Sequence, residues 1–452
     1  MLYRFRSTAR LLEDGELESH YFFFASPSQQ NDPMEGHVDY FWKGDHIAWL
    51  GLFKHYAWQV FMTMFMIPLK PNLDDLYKLQ LMQTEIHLKE TKLPKHREEI
   101  EKAISSDEQI IKLAAALGKS NKEFSAAELQ MILFFPHKIA LYYAYQTLQS
   151  IGLEIFSNPN NVEKLFYIEA ARKGIESVST LIERNGEKFL AICEVANNAF
   201  NSVKLITQVK AIQSAHPTDY QTTVFLFADF CENYVRQLPR LSYPDWYCVC
   251  FNTDMSNPAL WGYYADGHRG VCLIFKNEPN DGMELKEMRE GARMHHFNIH
   301  KVNYGATPIR ADFFRSLGRL WGDERCHWLI HKGFQSQVLV DIFAEGAAWR
   351  DAFIATNTNR LLMKSASWEK ENEYRIVLDD MWENHDQSRK FAYDFSDLDG
   401  IIFGIKTPTA EKARIIETVK QLCEATQRDS FNFYQAVYDL ECDTIRPQKL
   451  II

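Results

Sequence analysis

The residues best suited to chemistry lie late in the chain, in a short stretch that reads Glu-Asn-Glu-Tyr-Arg from Glu371 to Arg375. If this stretch is a β-strand, alternation places Glu371, Glu373 and Arg375 on one face. Two carboxylates beside a guanidinium can bind hydroxyl groups and stabilise a developing positive charge. An exposed salt bridge between neighbouring strands is the alternative interpretation of the same three residues.

A second group of candidate residues lies within residues 246–275, which predict a strand, a short helix, a tight turn and a second strand. Asn257 and Pro258 have the residue types of a helix cap and a first helical position. Trp261, Tyr264 and His268 follow at near-helical spacing, so they could share one face and hold a planar ligand. The pattern is equally compatible with two core aromatics and a histidine that caps the turn.

Polar side chains in the first 35 residues could complete such a site. They are Arg4 and Arg6 on a predicted strand, Ser26 and Ser28 in the loop that follows the next strand, and Asn31 and Asp32 before Pro33. The proline favours extended geometry in the preceding residue and would hold Asp32 at a defined angle.

Five pieces of sequence, spread over both ends of the chain, carry a family resemblance. They are residues 2–5 (LYRF), 31–35 (NDPME), 260–275 (LWGYYADGHRGVCLIF), 368–375 (WEKENEYR) and 400–406 (GIIFGIK). In this order they resemble the DUF2971 family of bacterial proteins of uncharacterised function. The chain differs from the family pattern at Leu260, where Met is usual, and at Tyr263, where His is usual. The second difference argues against an essential imidazole at that position.

The order of the candidate residues also resembles arginine-type ADP-ribosyltransferases. Those enzymes have an Arg on an early strand, a Ser-x-Ser on the next and a Glu-x-Glu late in the fold. The resemblance implies NAD as the substrate and a carboxylate that stabilises an oxocarbenium-like state at the ribose. The catalytic residues it predicts are Glu373, Glu371 and His268, and the NAD-binding residues are Arg4, Arg6, Ser26, Ser28, Asn31, Asp32, Trp261, Tyr264 and Arg375.

These resemblances predict an NAD-consuming ADP-ribosyltransferase or NAD glycohydrolase, and the first one suggests a toxin-like effector of bacterial antiviral defence. The acceptor, protein or nucleic acid, stays open. One alternative is a non-catalytic ligand-sensing or protein-interaction module. Another is a metal-dependent nuclease that uses His268 with the acidic residues Asp32 and Glu35.

Composition excludes some of the common classes of protein. The 452-residue chain has a formal charge of −10 and no GxGxxG, P-loop or GxSxG motif, so a Rossmann enzyme, an NTPase and an α/β-hydrolase are disfavoured. No signal peptide is expected, because arginines interrupt the N-terminus, and eight scattered cysteines indicate a reducing cytoplasm. We expect Cys248 and Cys250 to point to opposite strand faces. His296 and His300 have the spacing of metal ligands on a helix, but poor helix formers separate them, and no metal is expected.

The elements that must position these residues predict an α+β fold with a mixed sheet and an ADP-ribosyltransferase-like core. Residues 1–43 and 246–452 form that core, and residues 44–245 form a large helical insertion that includes helices at 74–90 and 186–215. The insertion could mediate self-association or contact a protein partner. Residues 47–69 are almost long enough to span a bilayer. Because Lys54, His55 and Gln59 lie near their middle, a buried or partner-facing helix is predicted and no membrane partner.

Overall fold

A computed structural model describes residues 1–67, 93–153, 167–184, 224–289, 291–305, 307–320, 322–380 and 389–452, together with residues 201, 202, 205, 209 and 222. The chain divides into two compact units, which are described separately. Unit 1 comprises residues 1–37, 244–309 and 355–452, and unit 2 comprises residues 38–243 and 310–354.

The described residues form both strands and helices. The strands are β1 (Leu2–Arg6), β2 (Tyr21–Phe23), β3 (Val38–Trp42), β4 (Phe124–Ser125), β5 (Asp245–Asn252), β6 (Val271–Phe275), β7 (Met283–Glu287), β8 (Met294–Phe297), β9 (His300–Lys301), β10 (Asn303–Tyr304), β11 (Ile309–Asp312), β12 (Ile330–His331), β13 (Phe334–Gln335), β14 (Met363–Lys364), β15 (Glu373–Asp380), β16 (Lys390–Tyr393), β17 (Leu398–Phe403), β18 (Asn432–Asp439) and β19 (Thr444–Leu450). The α-helices are α1 (Thr8–Leu12), α2 (His46–Met66), α3 (Leu93–Ser106), α4 (Glu108–Lys119), α5 (Ala126–Ser150), α6 (Ile168–Arg184), α7 (Phe230–Gln237), α8 (Pro258–Tyr264), α9 (Gly322–Leu329), α10 (Gln337–Glu345), α11 (Ala347–Leu361) and α12 (Thr409–Thr426).

Unit 1 contains two larger sheets and the short parallel pair β10-β14. The larger has eight strands in the order β19-β18-β17-β6-β1-β5-β15-β9, and the smaller has four in the order β2-β16-β7-β8. The larger sheet is mixed, because β17 and β18 pair in parallel and its other neighbours are antiparallel. Aromatic residues of both sheets meet in a shared core, in which Phe22 contacts Phe251, Phe275 and Tyr393. This confirms the predicted α+β class with mixed sheets.

Strand β1 lies at the centre of the larger sheet, between β6 and β5, although both partners follow it by more than two hundred residues. The turn after α8 brings the chain close to β1: a side chain added at Gly270 would meet the carbonyl oxygen of Arg6 at 2.2 Å. Only glycine fits there, so the closing turn and β1 are fixed together.

Unit 2 is mainly helical and is organised around α2, which packs against α3, α4 and α5. Lys54, His55 and Gln59 are all buried, and Lys54 donates a 2.6 Å hydrogen bond to the carbonyl of His327. Within the described residues, no helix has the length and apolar character needed to cross a bilayer. The prediction that residues 47–69 form a buried helix is confirmed for the part of that segment the structure describes, which ends at residue 67.

Several expected elements differ from the structure. Residues 310–354 cluster with unit 2 rather than with the predicted second part of the core. His295 and His296 lie on exposed strand β8 and His300 on β9, so no helix places them together. The predicted helix at 74–90 lies outside the described residues, as does almost all of the one at 186–215.

Candidate active site

One cleft in unit 1 brings together residues from both ends of the chain. It has a volume of about 290 Å³, close to the lower limit of small-molecule sites, which run from roughly 300 to 1,000 Å³. Its lining residues are Arg4, Phe5, Arg6, Arg10, Phe23, Ala25, Gln29, Gln30, Asn31, Cys248, Cys250, Asn252, Tyr263, Tyr264, Glu371 and Glu373. Arginines and carboxylates therefore share a single cavity.

The acidic side of the cleft is held by a buried cluster of ion pairs. Lys364 donates to a carboxylate oxygen of Glu371 at 2.6 Å and to one of Glu373 at 2.8 Å. Arg375 donates to the other Glu373 oxygen at 2.6 Å, and its second amino group lies 2.9 Å from Glu35. All five side chains are at least nine-tenths buried. The alternative of an exposed salt bridge is therefore wrong.

A single residue in left-handed conformation shapes the carboxylate pair. Glu371 ends a 3₁₀ helix (Ala366–Glu371), Asn372 has φ = 49°, and β15 begins at Glu373. The expected placement of Glu371 on the strand is thus wrong. The chain instead reverses direction at Asn372, a residue type that tolerates this conformation, and both carboxylates reach Lys364.

The pKa values of the Glu371 and Glu373 carboxyl groups are shifted in opposite directions. Burial alone would raise the pKa of Glu373, but the charges of Arg375 and Lys364 outweigh it and lower this pKa to about 2. Burial raises the pKa of Glu371, and Lys364 and the hydroxyl of Tyr264 offset only part of that effect. A pair in which one carboxyl group stays ionised while the other accepts a proton more readily is typical of acid–base sites.

The basic side of the cleft contains a buried arginine, Arg4, which forms no ion pair with the described residues. Arg4 is 6% exposed and rests on the ring of Phe22, 4.8 Å from the ring centroid. Its Nη1 atom has no hydrogen-bond partner among the described residues. Burial and the nearby charge of Arg6 lower the pKa of Arg4 to about 9, so the guanidinium is still charged at neutral pH. Arg6 differs because it pairs with Glu16 at 2.9 Å.

Aromatic side chains form the rim of the cleft. Tyr264 donates a 2.7 Å hydrogen bond to Glu371, while Tyr263 is 66% exposed. The ring of Tyr263 lies 5.9 Å from that of Trp368, and the Lys364 ammonium lies 5.0 Å from the same indole ring. The exposed ring of Tyr263 offers a face on which a planar ligand can stack.

Comparison with known proteins found a match between part of this chain and a family model. Residues 260–376 match the model of DUF2971, a protein family of unknown function. The predicted resemblance to DUF2971 is confirmed. No curated protein and no solved structure matches the chain.

The matched segment, residues 260–376, supplies the acidic side and the rim of the cleft, from Tyr263 to Arg375. The arginines that line the cleft come from β1 and α1. Of the residues predicted for the site, the structure brings Arg4, Arg6, Asn31, Tyr264, Glu371 and Glu373 into the cleft lining. Arg375 lies behind them and holds Glu373.

Other predicted residues have different places. Trp261 is a core residue, fully buried, with its indole donating to the carbonyl of Met255. His268 lies in the turn before β6, with φ = 70°, and is not among the cleft-lining residues. Ser26 and Ser28 hydrogen bond to one another at a short 3₁₀ helix, and Asp32 accepts from the backbone of Ser365 at 2.7 Å.

Two residues of the DUF2971 segment that matter here were missed from sequence. Lys364 directly follows an apolar run, Leu361–Met363. A lysine next to such a run is the sequence signal that could have indicated a buried cation. No sequence pattern marks Tyr304, but its hydroxyl accepts a hydrogen bond from the backbone amide of Glu373 at 2.8 Å.

Cys248 and Cys250 also line the cleft together, on the same face of β5. The expectation of opposite faces is wrong, because residues two apart in a strand share a face.

Proposed function

We propose that this chain binds NAD in the cleft and breaks the bond between nicotinamide and ribose, transferring ADP-ribose to an acceptor or to water. The observation that carries the proposal is that one cavity contains both the buried Arg4, whose Nη1 has no hydrogen-bond partner among the described residues, and an ionised, preorganised Glu373. A buried guanidinium with an unsatisfied donor favours an anionic ligand, and a phosphate or ribose oxygen suits it.

Glu373 supplies the electrostatic part of the reaction. As the glycosidic bond breaks, nicotinamide leaves with the bonding electrons and positive charge grows on the ribose. Lys364 and Arg375 fix the Glu373 carboxylate from behind, so it need not reorganise when that charge appears. Its low pKa keeps it ionised across the physiological range.

Glu371 is suited to the proton transfer. The acceptor loses a proton as its oxygen or nitrogen bonds to the ribose carbon, and a carboxylate with a raised pKa takes that proton more readily. Tyr264 and Lys364 hold this side chain in position. The exposed ring of Tyr263 provides a stacking surface for nicotinamide or adenine.

The test is the release of nicotinamide from NAD by purified protein, compared with the Glu373→Gln variant. The substitution keeps the shape and removes the charge, so turnover is expected to fall by about 10²–10³ while NAD affinity changes far less. Glu371→Gln should have a smaller effect on hydrolysis and a larger one on transfer to an added acceptor.

A matched control separates catalysis from stability. Glu35→Gln removes a carboxylate from the same ion-pair cluster, but Glu35 is not among the cleft-lining residues. It should destabilise the fold and reduce turnover by less than tenfold in the folded protein. Undiminished turnover in folded Glu373→Gln would overturn the catalytic assignment.

A ligand-sensing module is the second candidate, and one observation favours it. Both oxygens of Glu373 already accept hydrogen bonds from Lys364 and Arg375, a saturation that suits a structural carboxylate as well as a catalytic one. The same experiment distinguishes the two: NAD that binds and remains intact supports the sensor. A defence effector that consumes NAD should in addition deplete cellular NAD when expressed, and its Glu373→Gln variant should not.

A further inference from the structure

Two thiols lie side by side in the cleft. The sulfur atoms of Cys248 and Cys250 are 3.7 Å apart on one face of β5. Both pair in register with β15, opposite Val377 and Arg375, so the backbone of two strands fixes their separation. Cys250 is partly exposed, whereas Cys248 is 1% exposed.

The side chain of Gln30 covers both sulfur atoms. Its amide nitrogen lies 3.2 Å from Cys248 Sγ and its amide oxygen 4.0 Å from Cys250 Sγ. The hydrogen bond with Cys248, together with burial, raises the pKa of Cys250 well above its usual value. At neutral pH Cys250 is therefore a protonated thiol, which makes it a poor nucleophile.

Geometry disfavours a disulfide between these residues. Two residues along a strand span about 6.4–6.8 Å, at the upper end of the range of roughly 4.4–6.8 Å between Cα atoms in disulfides. The sulfur atoms would also have to approach from 3.7 Å to about 2.05 Å. A single atom that bonds both sulfurs leaves the strand in place, because it bridges the existing gap.

We propose that Cys248 and Cys250 form a binding site for a thiophilic trivalent metalloid, with a monosubstituted arsenical as the ligand that fits two adjacent thiols. In its hydrated form the arsenical carries two hydroxyl groups. Two As–O bonds break and two As–S bonds form, while each thiol proton leaves with a hydroxyl group as water. No electrons are transferred, so neither an oxidant nor a reductant is required.

The experiment treats the whole reduced protein with phenylarsine oxide and measures its intact mass. One bridging phenylarsenic group per chain is expected at the pair, and it should persist in excess monothiol but leave on addition of a dithiol. Cys250→Ser removes one of the two bonds. Because the second bond forms within a single site, affinity is expected to drop by roughly 10²-fold or more.

The exposed cysteines Cys326 and Cys442 provide the matched control. The double variant Cys326→Ser/Cys442→Ser should retain the monothiol-resistant adduct, since neither residue belongs to the pair. Circular dichroism checks that Cys250→Ser folds, and Cys250→Ala tests the same loss without a hydroxyl group. A resistant adduct that survives in both Cys250 variants, or is missing from the wild type, overturns the proposal. Both readouts are independent of NAD turnover.

Discussion

The two compact units differ in the way they hold buried polar side chains. In unit 1, Lys364 and Arg375 form ion pairs with three carboxylates next to a cleft. Unit 2 also buries a charged side chain, Arg97, which is paired with Glu101 and Glu324, but the network that joins three of its helices is neutral. The hydroxyl of Tyr56 lies 2.8 Å from His137 Nδ1 and 2.9 Å from Cys231 Sγ, between helices α2, α5 and α7.

The comparison shows which kind of buried polar network indicates a ligand-binding site. The polar groups of the unit 2 network form hydrogen bonds with one another. A second buried pair, His55 Nδ1 with the hydroxyl of Tyr234 at 2.8 Å, does the same. Unit 2 also has buried donors without a partner among the described residues, such as the indole nitrogen of Trp49, but these do not line the cleft, whereas the unsatisfied donor of Arg4 in unit 1 does. A closed network specifies packing, whereas an open one leaves room for a ligand to complete it.

The largest expected effect comes from Arg375→Met. The change leaves Glu35 and Glu373 with Lys364 as their remaining cation, and breaking a buried ion pair costs about 3–5 kcal/mol. Hydrogen exchange of amides in β5 and β15 measures it. The control is Arg310→Met in unit 2, whose side chain is 57% exposed and should contribute at most about 1 kcal/mol. Equal losses in the two variants would contradict the importance of burial.

As the pH falls, the stability of unit 2 should decrease before the ion pairs of Glu373 are affected. Burial lowers the pKa of His55 and of His137 to about 3, from a usual value of 6.5. Between these values the unfolded state binds more protons, so stability falls as pH falls, by about 1.4 kcal/mol per histidine per pH unit. The contribution of Glu373, with a pKa lowered from 4.5 to about 2, is lost only below pH 4.5.

Hydrogen exchange at pH 7 and pH 5.5, corrected for intrinsic rates, checks this prediction. Amides of α2 and α5 should lose protection on acidification. His137→Gln should retain about half of the pH dependence, since His55 still titrates. The same slope in wild type and variant would show that His137 does not carry the effect.

A smaller effect is expected for Tyr56→Phe. Removing the hydroxyl leaves His137 Nδ1 and the Cys231 thiol without this partner, at a cost of about 1–3 kcal/mol. Thermal unfolding followed by circular dichroism at helical wavelengths reports it. Tyr142→Phe is the control: its hydroxyl accepts from exposed Gln146, and its loss should change stability by less than about 0.5 kcal/mol.

The smallest change in stability is expected for Arg4→Met. Since Arg4 forms no ion pair within the part of the chain that the structure describes, removing its buried charge should alter the unfolding free energy by less than about 1 kcal/mol, toward greater stability. Binding of an anionic ligand should nevertheless weaken. Titration calorimetry with NAD compares the variant with Arg6→Met, which loses its pair with Glu16. A large destabilisation by Arg4→Met would show that the arginine is structural.

Local patterns predicted much of unit 1. The strands at β1, β5, β6 and β15 follow from apolar and alternating runs, and the start of α8 follows from Asn257, whose side chain accepts from the backbone of Ala259. The acidic pair is a candidate because strand alternation would place it beside Arg375, and Arg4 is one because of the resemblance to ADP-ribosyltransferases.

The rest depends on three-dimensional information that local sequence does not contain. Trp261 and Tyr264 are three residues apart on α8, only about 60° apart around the helix axis, yet Trp261 is buried in the core and Tyr264 lines the cleft. Packing of α8 against distant segments, and not the spacing, decides which side chain reaches the cleft. Lys364 is close to Glu371 in sequence, but its role depends on Glu35, more than three hundred residues earlier. The return of residues 310–354 to unit 2 is likewise decided by packing between distant segments.

The central position of β1 also constrains the order of events during synthesis. Asp32 bonds to a backbone amide 333 residues further along, and β1 pairs with strands that leave the ribosome only after all of residues 38–243. The first 37 residues therefore emerge without their sheet partners. The cleft, which needs Arg4 and Glu373 together, can form only when the chain is nearly complete, so a truncated product would carry the arginines without the carboxylates.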